Sequence, residues 1–226
     1  MSTARVSVNK LGEFLVTSNP IRRRGIIRDQ KQVPESVVPL YRQATQPIAE
    51  FLNGGCADPT PILRAIGRLR GVTTGTEWAL RDAKNTAEAL EIFLESADAI
   101  PITGITYVRG QNSVPKLTNS GVLISVRPEF LLHFERRGEK CVGALKLHCV
   151  KDKKHALGED GGEFVATLTH RWLLAHGPAG RRPLHTHCFS LDVFRESLVS
   201  APRAFTQRMK SVDAACAEIA LAWPTL

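Results

Sequence analysis

Four arginines crowd the segment PIRRRGIIRDQK: Arg22, Arg23, Arg24 and Arg28. A guanidinium group presents a planar fork of donors that fits two phosphate oxygens, and each such contact with a nucleic acid releases condensed counterions. A second basic stretch runs from Arg136 to Lys154, where Arg136, Arg137, Lys140, Lys146, Lys151, Lys153 and Lys154 outnumber Glu139 and Asp152. Each stretch reads either as a phosphate contact or as a solvated face with internal acid clamps, Asp29 being the natural clamp for the first. Two such patches from distant parts of the chain would line one groove, and nucleic acid is the expected partner.

Histidine and cysteine raise the question of a metal. His185 and His187 bracket one residue with Cys188 next, and His148 precedes Cys149. Strict alternation along a strand sends His185 and His187 to one face and Cys188 to the other, which works against a shared tetrahedral zinc site. The chain has no GxSxG elbow, Walker A loop or dinucleotide fingerprint, so neither nucleophilic serine chemistry nor nucleotide-cofactor chemistry is expected.

These side chains must be positioned by helices first and strands second. Val8, Leu11, Phe14 and Leu15 fall at helical spacing, and Asn19–Pro20 ends that helix and opens the arginine-bearing one. PESVVPLYRQATQPIAEFLNGG and PTPILRAIGRLRG predict a third and a fourth helix. The fifth, from Thr76, sets Trp78, Leu80, Ala83, Ala87, Leu90, Phe93 and Leu94 on one apolar face, broad enough to dock a protein partner. After Pro101 the period shifts to alternation in ITGITYV, SGVLISVRPEFLLHF and KCVGALKLHCV, with polar breaks at NSVPKLTNS and ERRGEK. A helix over GGEFVATLTHRWLLAHG, a strand over LHTHCFSLDVF and a closing helix from Pro202 complete an α+β chain. Residues 1–100 form a helical region with a basic N-terminal segment, and 101–226 a mixed β-sheet core flanked by helices.

Composition sets the outer limits. In 226 residues, 43% hydrophobic side chains suffice for a core without metal or disulfide staples. The five cysteines are odd in number and include no CxxC pair, which points to reduced thiols and a cytoplasmic setting. No apolar run reaches the roughly 18 to 20 residues of a membrane span, so no membrane partner is expected. The formal net charge of +8 favours acidic partners. Residues 1–31 hold seven basic side chains against two acids, whereas residues 32–100 hold six against nine, so the excess is local.

The order helix, strand, hairpin, strand, helix, strand, helix resembles the core of PD-(D/E)XK nucleases, including the RecB-like and Cas4-like branches. The resemblance implies a Mg²⁺-dependent phosphodiesterase in which carboxylates hold the metal and a lysine polarises the nucleophile or the phosphate. Glu129 in SVRPEF matches the first acid, Lys146 in GALKLH the lysine, and Glu88 or Glu91 the helix acid. The position two before the lysine is Ala144, so the acid-x-Lys triplet lacks its acid; Glu163 or Asp152 would have to replace it. The chain also resembles bacterial proteins that share the SVNKLGEFL, RPE and GALKL segments, a likeness that carries no established activity. The expected function is nucleic-acid binding without cutting, as in a subunit of a bacterial defence or mobile-element assembly. A metal-dependent nuclease and a protein-interaction subunit stand as the alternatives.

Overall fold

The apolar spacing of Val8, Leu11 and Phe14 produces α1 (Val8–Val16), with all three side chains buried. Ahead of it runs a short strand, β1 (Arg5–Ser7). Asn19 caps the next helix, its Oδ1 accepting from the backbone N–H groups of Ile21 and Arg22 at 2.9 and 3.2 Å. Pro20 takes the first position of α2 (Pro20–Gln32), where a missing N–H costs nothing. The computed structural model describes residues 3–32 and 41–226; residues 33–40, the start of the third expected helix, lie outside that range. The rest of that segment forms one 3₁₀ turn and α3 (Thr45–Asn53).

Helices α4 (Thr60–Arg70) and α5 (Glu77–Ser96) follow and pack against each other. Thr76 caps α5 by accepting from the Ala79 N–H at 3.2 Å. The apolar face of α5 is consumed by the core: Ala83, Ala87, Leu90 and Phe93 are buried with Ile62, Ile66 and Leu69 of α4. The C-terminal part of that face is thus covered, whereas Trp78 at its N-terminal end is exposed and Leu80 is partly so.

The second half builds two sheets. The larger contains β2 (Thr106–Arg109), β5 (Phe130–Arg136), β6 (Glu139–His148), β7 (Arg182–Asp192) and β8 (Ser197–Ser200), in that order. It is antiparallel except between β6 and β7, which run parallel. Parallel neighbours need a crossover, and α6 (Gly158–His176) supplies it. The smaller sheet has the order β1, β4 (Val122–Ser125), β3 (Leu117–Asn119), with β1 parallel to β4. α7 (Thr206–Ala222) closes the chain and buries Val212, Ala215, Cys216 and Ile219. The fold is α+β, with a helical first half and a mixed-sheet second half.

The β5–β6 and β3–β4 hairpins each turn on two residues, the second a glycine. Arg137 and Gly138 have φ of 53° and 79°, and Ser120 and Gly121 have 45° and 78°. Positive φ at both central residues is the signature of the tight turn whose twist matches that of the flanking strands. One face of the large sheet packs on α3, α4 and α5; the other packs on α1, α6, α7 and the small sheet. The segment Arg5–Gln32 thus belongs in space to the C-terminal half, through β1 on β4 and α1 on α6. The break near residue 100 separates helices from strands along the chain but not in three dimensions.

Two local features depart from the sequence reading. Leu117–Asn119, inside the expected polar break, pairs as β3, and β1 and β8 are further short strands without a period of their own. The alternation expected in LHTHCF is also broken. Val142 pairs with Pro183 but Ala144 with Cys188, so Gly143 alone faces a bulge of four β7 residues. A Cβ on Gly143 would lie 2.1 Å from the His187 carbonyl oxygen, and glycine is what lets the bulge close on β6. Across the bulge the two histidines diverge. His185 meets His170 of α6 and approaches the Ala201 carbonyl, while His187 stacks on Phe134 on the opposite face.

Candidate nucleic-acid interface

Glu129 precedes β5 and is held by its backbone from both sides: its N–H donates to the Leu145 carbonyl at 3.1 Å, and its carbonyl accepts from the Gly110 N–H at 2.8 Å. The second contact demands glycine, because a Cβ on residue 110 would lie 2.0 Å from the Pro128 carbonyl oxygen. With the backbone fixed, the carboxylate accepts from Lys146 Nζ at 2.5 Å and from the Leu147 N–H at 2.6 Å. The two residues singled out from the hairpin layout are therefore direct partners at the edge of the β5–β6 pair.

They open into a cleft of about 370 Å³. Its wall gathers Asn9 and Lys10 from α1, Tyr41 and Arg42 ahead of α3, Thr45 at the start of α3, Arg109 at the end of β2 with Gly110 to Asn112 after it, Arg127 to Glu129, and the end of β6. Five cationic side chains, Lys10, Arg42, Arg109, Arg127 and Lys146, stand there against one carboxylate, Glu129. Lys10 is paired with Glu13 and Lys146 with Glu129. Arg42, Arg109 and Arg127 have no acidic partner among the described residues; Arg109 donates to Gln46 Oε1 at 2.9 Å and Arg127 reaches the Asn112 carbonyl at 3.5 Å. Three arginines without acidic partners among the described residues give this concave wall a positive potential that suits an anion. Sequence reasoning missed these three and Lys10 because they stand singly in four separate segments; only the fold makes them a group.

The basic runs fare differently. Arg22 is bound to buried Glu13, with Asp29 at 3.8 Å, and Arg23 is bound to Glu218 of α7 with its guanidinium over Phe14. Those two are internal clamps. Arg24 and Arg28 are exposed and have no ion-pair partner among the described residues. The run from Arg136 to Lys154 is divided by β6. Arg136, Arg137 and Lys140 lie at its hairpin end, and Lys151, Lys153 and Lys154 beyond its other end. Ten residues at about 3.3 Å each separate the two by roughly 30 Å. Lys151 is further occupied by Glu88 and by Asn85 Oδ1 at 2.9 Å. One patch in the sequence is two in space.

Glu13 organises the wall behind the cleft. Burial alone would raise its pKa, but hydrogen bonds and charge from Lys10 and Arg22 outweigh that and hold it below the ordinary carboxylate value. His155 Nδ1 lies 3.1 Å from the same carboxylate. His148, buried at the end of β6, is pushed down to about 4 by desolvation and is neutral, its Nε2 lying 3.3 Å from the His155 carbonyl. Beside it in register sits Asp192, almost fully buried, with its pKa raised by desolvation against the charge of Arg195 and the nearby backbone N–H groups of Leu157, Phe194 and Arg195. None of those contacts reaches good hydrogen-bond geometry.

The nuclease resemblance implies Mg²⁺, and the donor set does not fit one. Among the described residues Glu129 is the single carboxylate of the cleft, and both its oxygens are engaged by Lys146 and Leu147. Ala144 is fully buried in the core under α6, so the missing acid has neither side chain nor exposure. Glu91 is bound to Arg70, Glu163 to Arg208, and Asp152 caps the Lys153–His155 turn; none of the three lines the cleft. Among the described residues no group of three His, Cys, Asp or Glu side chains is placed to hold a metal ion. A hard cation at such a site is held by several oxygen ligands with carboxylates among them, and the described residues offer one carboxylate, already engaged.

No protein-family model matches the chain, and no curated protein is significantly similar to it. Among the described residues no helix is long and apolar enough to cross a membrane.

Proposed function

We propose that the protein binds nucleic acid through the cleft around Lys146 and does not cut it. The observation that carries this reading is the trio Arg42, Arg109 and Arg127, exposed, without acidic partners among the described residues, and gathered with Lys10 and Lys146 about a single carboxylate. Phosphate is the ligand chemistry that such a set recognises, and the net charge of +8 favours approach of any polyanion. A role as a non-catalytic subunit of a defence or mobile-element assembly accords with a nuclease-like hairpin that lacks its second acid.

The test is fluorescence anisotropy with labelled oligonucleotides across a salt series. Binding weakens steeply with salt, and replacing Arg42, Arg109 and Arg127 by alanine lowers affinity at least tenfold and flattens the salt slope by about one unit per lost phosphate contact. Arg68→Ala, which removes one exposed charge from α4 outside the cleft, leaves binding unchanged. Oligonucleotide affinity that is absent, or that ignores the three arginines, sinks the reading.

A nuclease is the second reading, favoured by the direct apposition of Glu129 and Lys146. Cleavage of plasmid with Mg²⁺ or Mn²⁺, lost in Glu129→Ala, would put it first.

A further inference from the structure

We infer that the cleft takes an unpaired nucleotide, with its base against Tyr41 and its phosphates on the surrounding arginines, so that the protein prefers single strands to duplex. The inference rests on the nucleic-acid reading and narrows it.

Tyr41 is the aromatic residue of the cleft wall, and Arg42 beside it is one of the three arginines without an acidic partner. Its backbone is unusual. Tyr41 has φ of 63°, the left-handed region that a bulky non-glycine residue enters only at a cost. A dedicated contact maintains it: the Tyr41 N–H donates to Asp82 Oδ1 at 3.0 Å, and Asp82 is buried in α5, with Thr86 Oγ1 donating to the same oxygen at 3.4 Å. Strain that the surroundings enforce is concentrated at ligand-binding positions. Here it fixes a partly buried ring that packs on the core with one side and lines the cationic cleft with another.

The remaining lining agrees with a nucleotide. A volume of about 370 Å³ lies within the range of pockets that enclose small ligands, and the base of an unpaired residue can enter it while a stacked, paired base cannot. Gln111, Asn112 and Thr45 add polar side chains able to meet base edges or ribose. A positive groove joined to an aromatic platform is the combination that holds single strands, because every base has a face to stack and every linkage a phosphate.

Anisotropy with a labelled 12-nucleotide single strand and a blunt duplex of the same sequence decides the matter at one fixed salt concentration. The single strand is expected to bind at least tenfold tighter. Tyr41→Ala is expected to lower single-strand affinity roughly tenfold and so erase the preference, while Tyr41→Trp retains it; thermal melts establish that both variants fold, and Tyr41→Leu, which keeps the bulk without the aromatic face, substitutes for Tyr41→Ala should that variant fail to fold. Equal affinity for the two oligonucleotides, or a preference indifferent to loss of the Tyr41 ring, overturns this inference and leaves the nucleic-acid reading standing on its arginines. Binding of neither oligonucleotide overturns both.

Discussion

Three buried ionisable groups, Glu13, His148 and Asp192, lie close together behind the cleft and respond to pH in different senses. His148 is 2% exposed and its pKa is pushed from 6.5 to about 4, so the unfolded chain binds a proton that the folded one refuses. Its contribution is complete above pH 6.5 and is lost as pH falls toward 4, worth about 3 kcal/mol over that window. Glu13, with a lowered pKa, adds stability present above the normal glutamate range and lost below it. Chemical denaturation at pH 7 and pH 5 is therefore expected to give a lower unfolding free energy at pH 5, and His148→Gln to remove most of that difference. Asp192 runs the other way. A raised carboxylate pKa means that stability is full in acid and lost as pH rises through it. Asp192→Asn is expected to raise the melting temperature at pH 7.5 and to have little effect near pH 4; a destabilised variant at pH 7.5 would show that the charged form is well paired. The thiols are quiet by comparison: desolvation lifts Cys188 and Cys149 well above the ordinary value and Cys216 to about 11, which disfavours the thiolate at these three positions near neutral pH.

At the scale of elements, the cleft depends on loops that touch. The turn at Gly110 and the loop Arg127–Glu129 approach so closely that only a hydrogen fits between Gly110 and the Pro128 carbonyl. Gly110→Ala must push the two apart, which would free Glu129 and displace Arg109 and Arg127; a loss of about 2 kcal/mol in stability is expected from urea denaturation, together with weaker oligonucleotide binding. Normal stability would mean that the loops relax without strain. Long elements were legible in the sequence because their periods repeat: α5, α6, α7 and the β5–β6 hairpin stand where alternation or helical spacing placed them. β1, β3 and β8 were not, since three or four residues contain no period, and their pairing is dictated by strands far away in sequence. The β7 bulge escaped for a related reason: nothing in LHTHCF announces that four residues will face Gly143 alone.

For the whole molecule, legibility of the candidate site follows the same division. Glu129 and Lys146 could be singled out because one hairpin brings them together. Lys10, Arg42, Arg109 and Arg127 could not, because each is one cation in an ordinary stretch until β1, α1 and the two sheets converge. The reverse holds for the arginine run: Arg22 and Arg23 looked like a binding surface and turn out to tie α2 to α1 and α7. Those ties make a testable demand. Deleting residues 1–32 removes β1, α1 and α2, exposes Val165, Leu173, Cys216 and the β4 edge, and is expected to leave an aggregation-prone chain by light scattering and circular dichroism. A soluble, cooperatively melting truncation would show that the C-terminal half stands alone.

The parallel pairing of β1 with β4 has a consequence for how the protein is made. Leu11, Phe14, Ile26 and Ile27 leave the ribosome early, yet the strand and helices that cover them span residues 122–222. At about 5 to 20 residues per second, the N-terminal segment waits on the order of 5 to 20 s for β4 alone, and longer for α6 and α7. During that interval the apolar side chains of residues 5–32 have no native cover, which leaves this segment open to misassociation until β4, α6 and α7 have emerged.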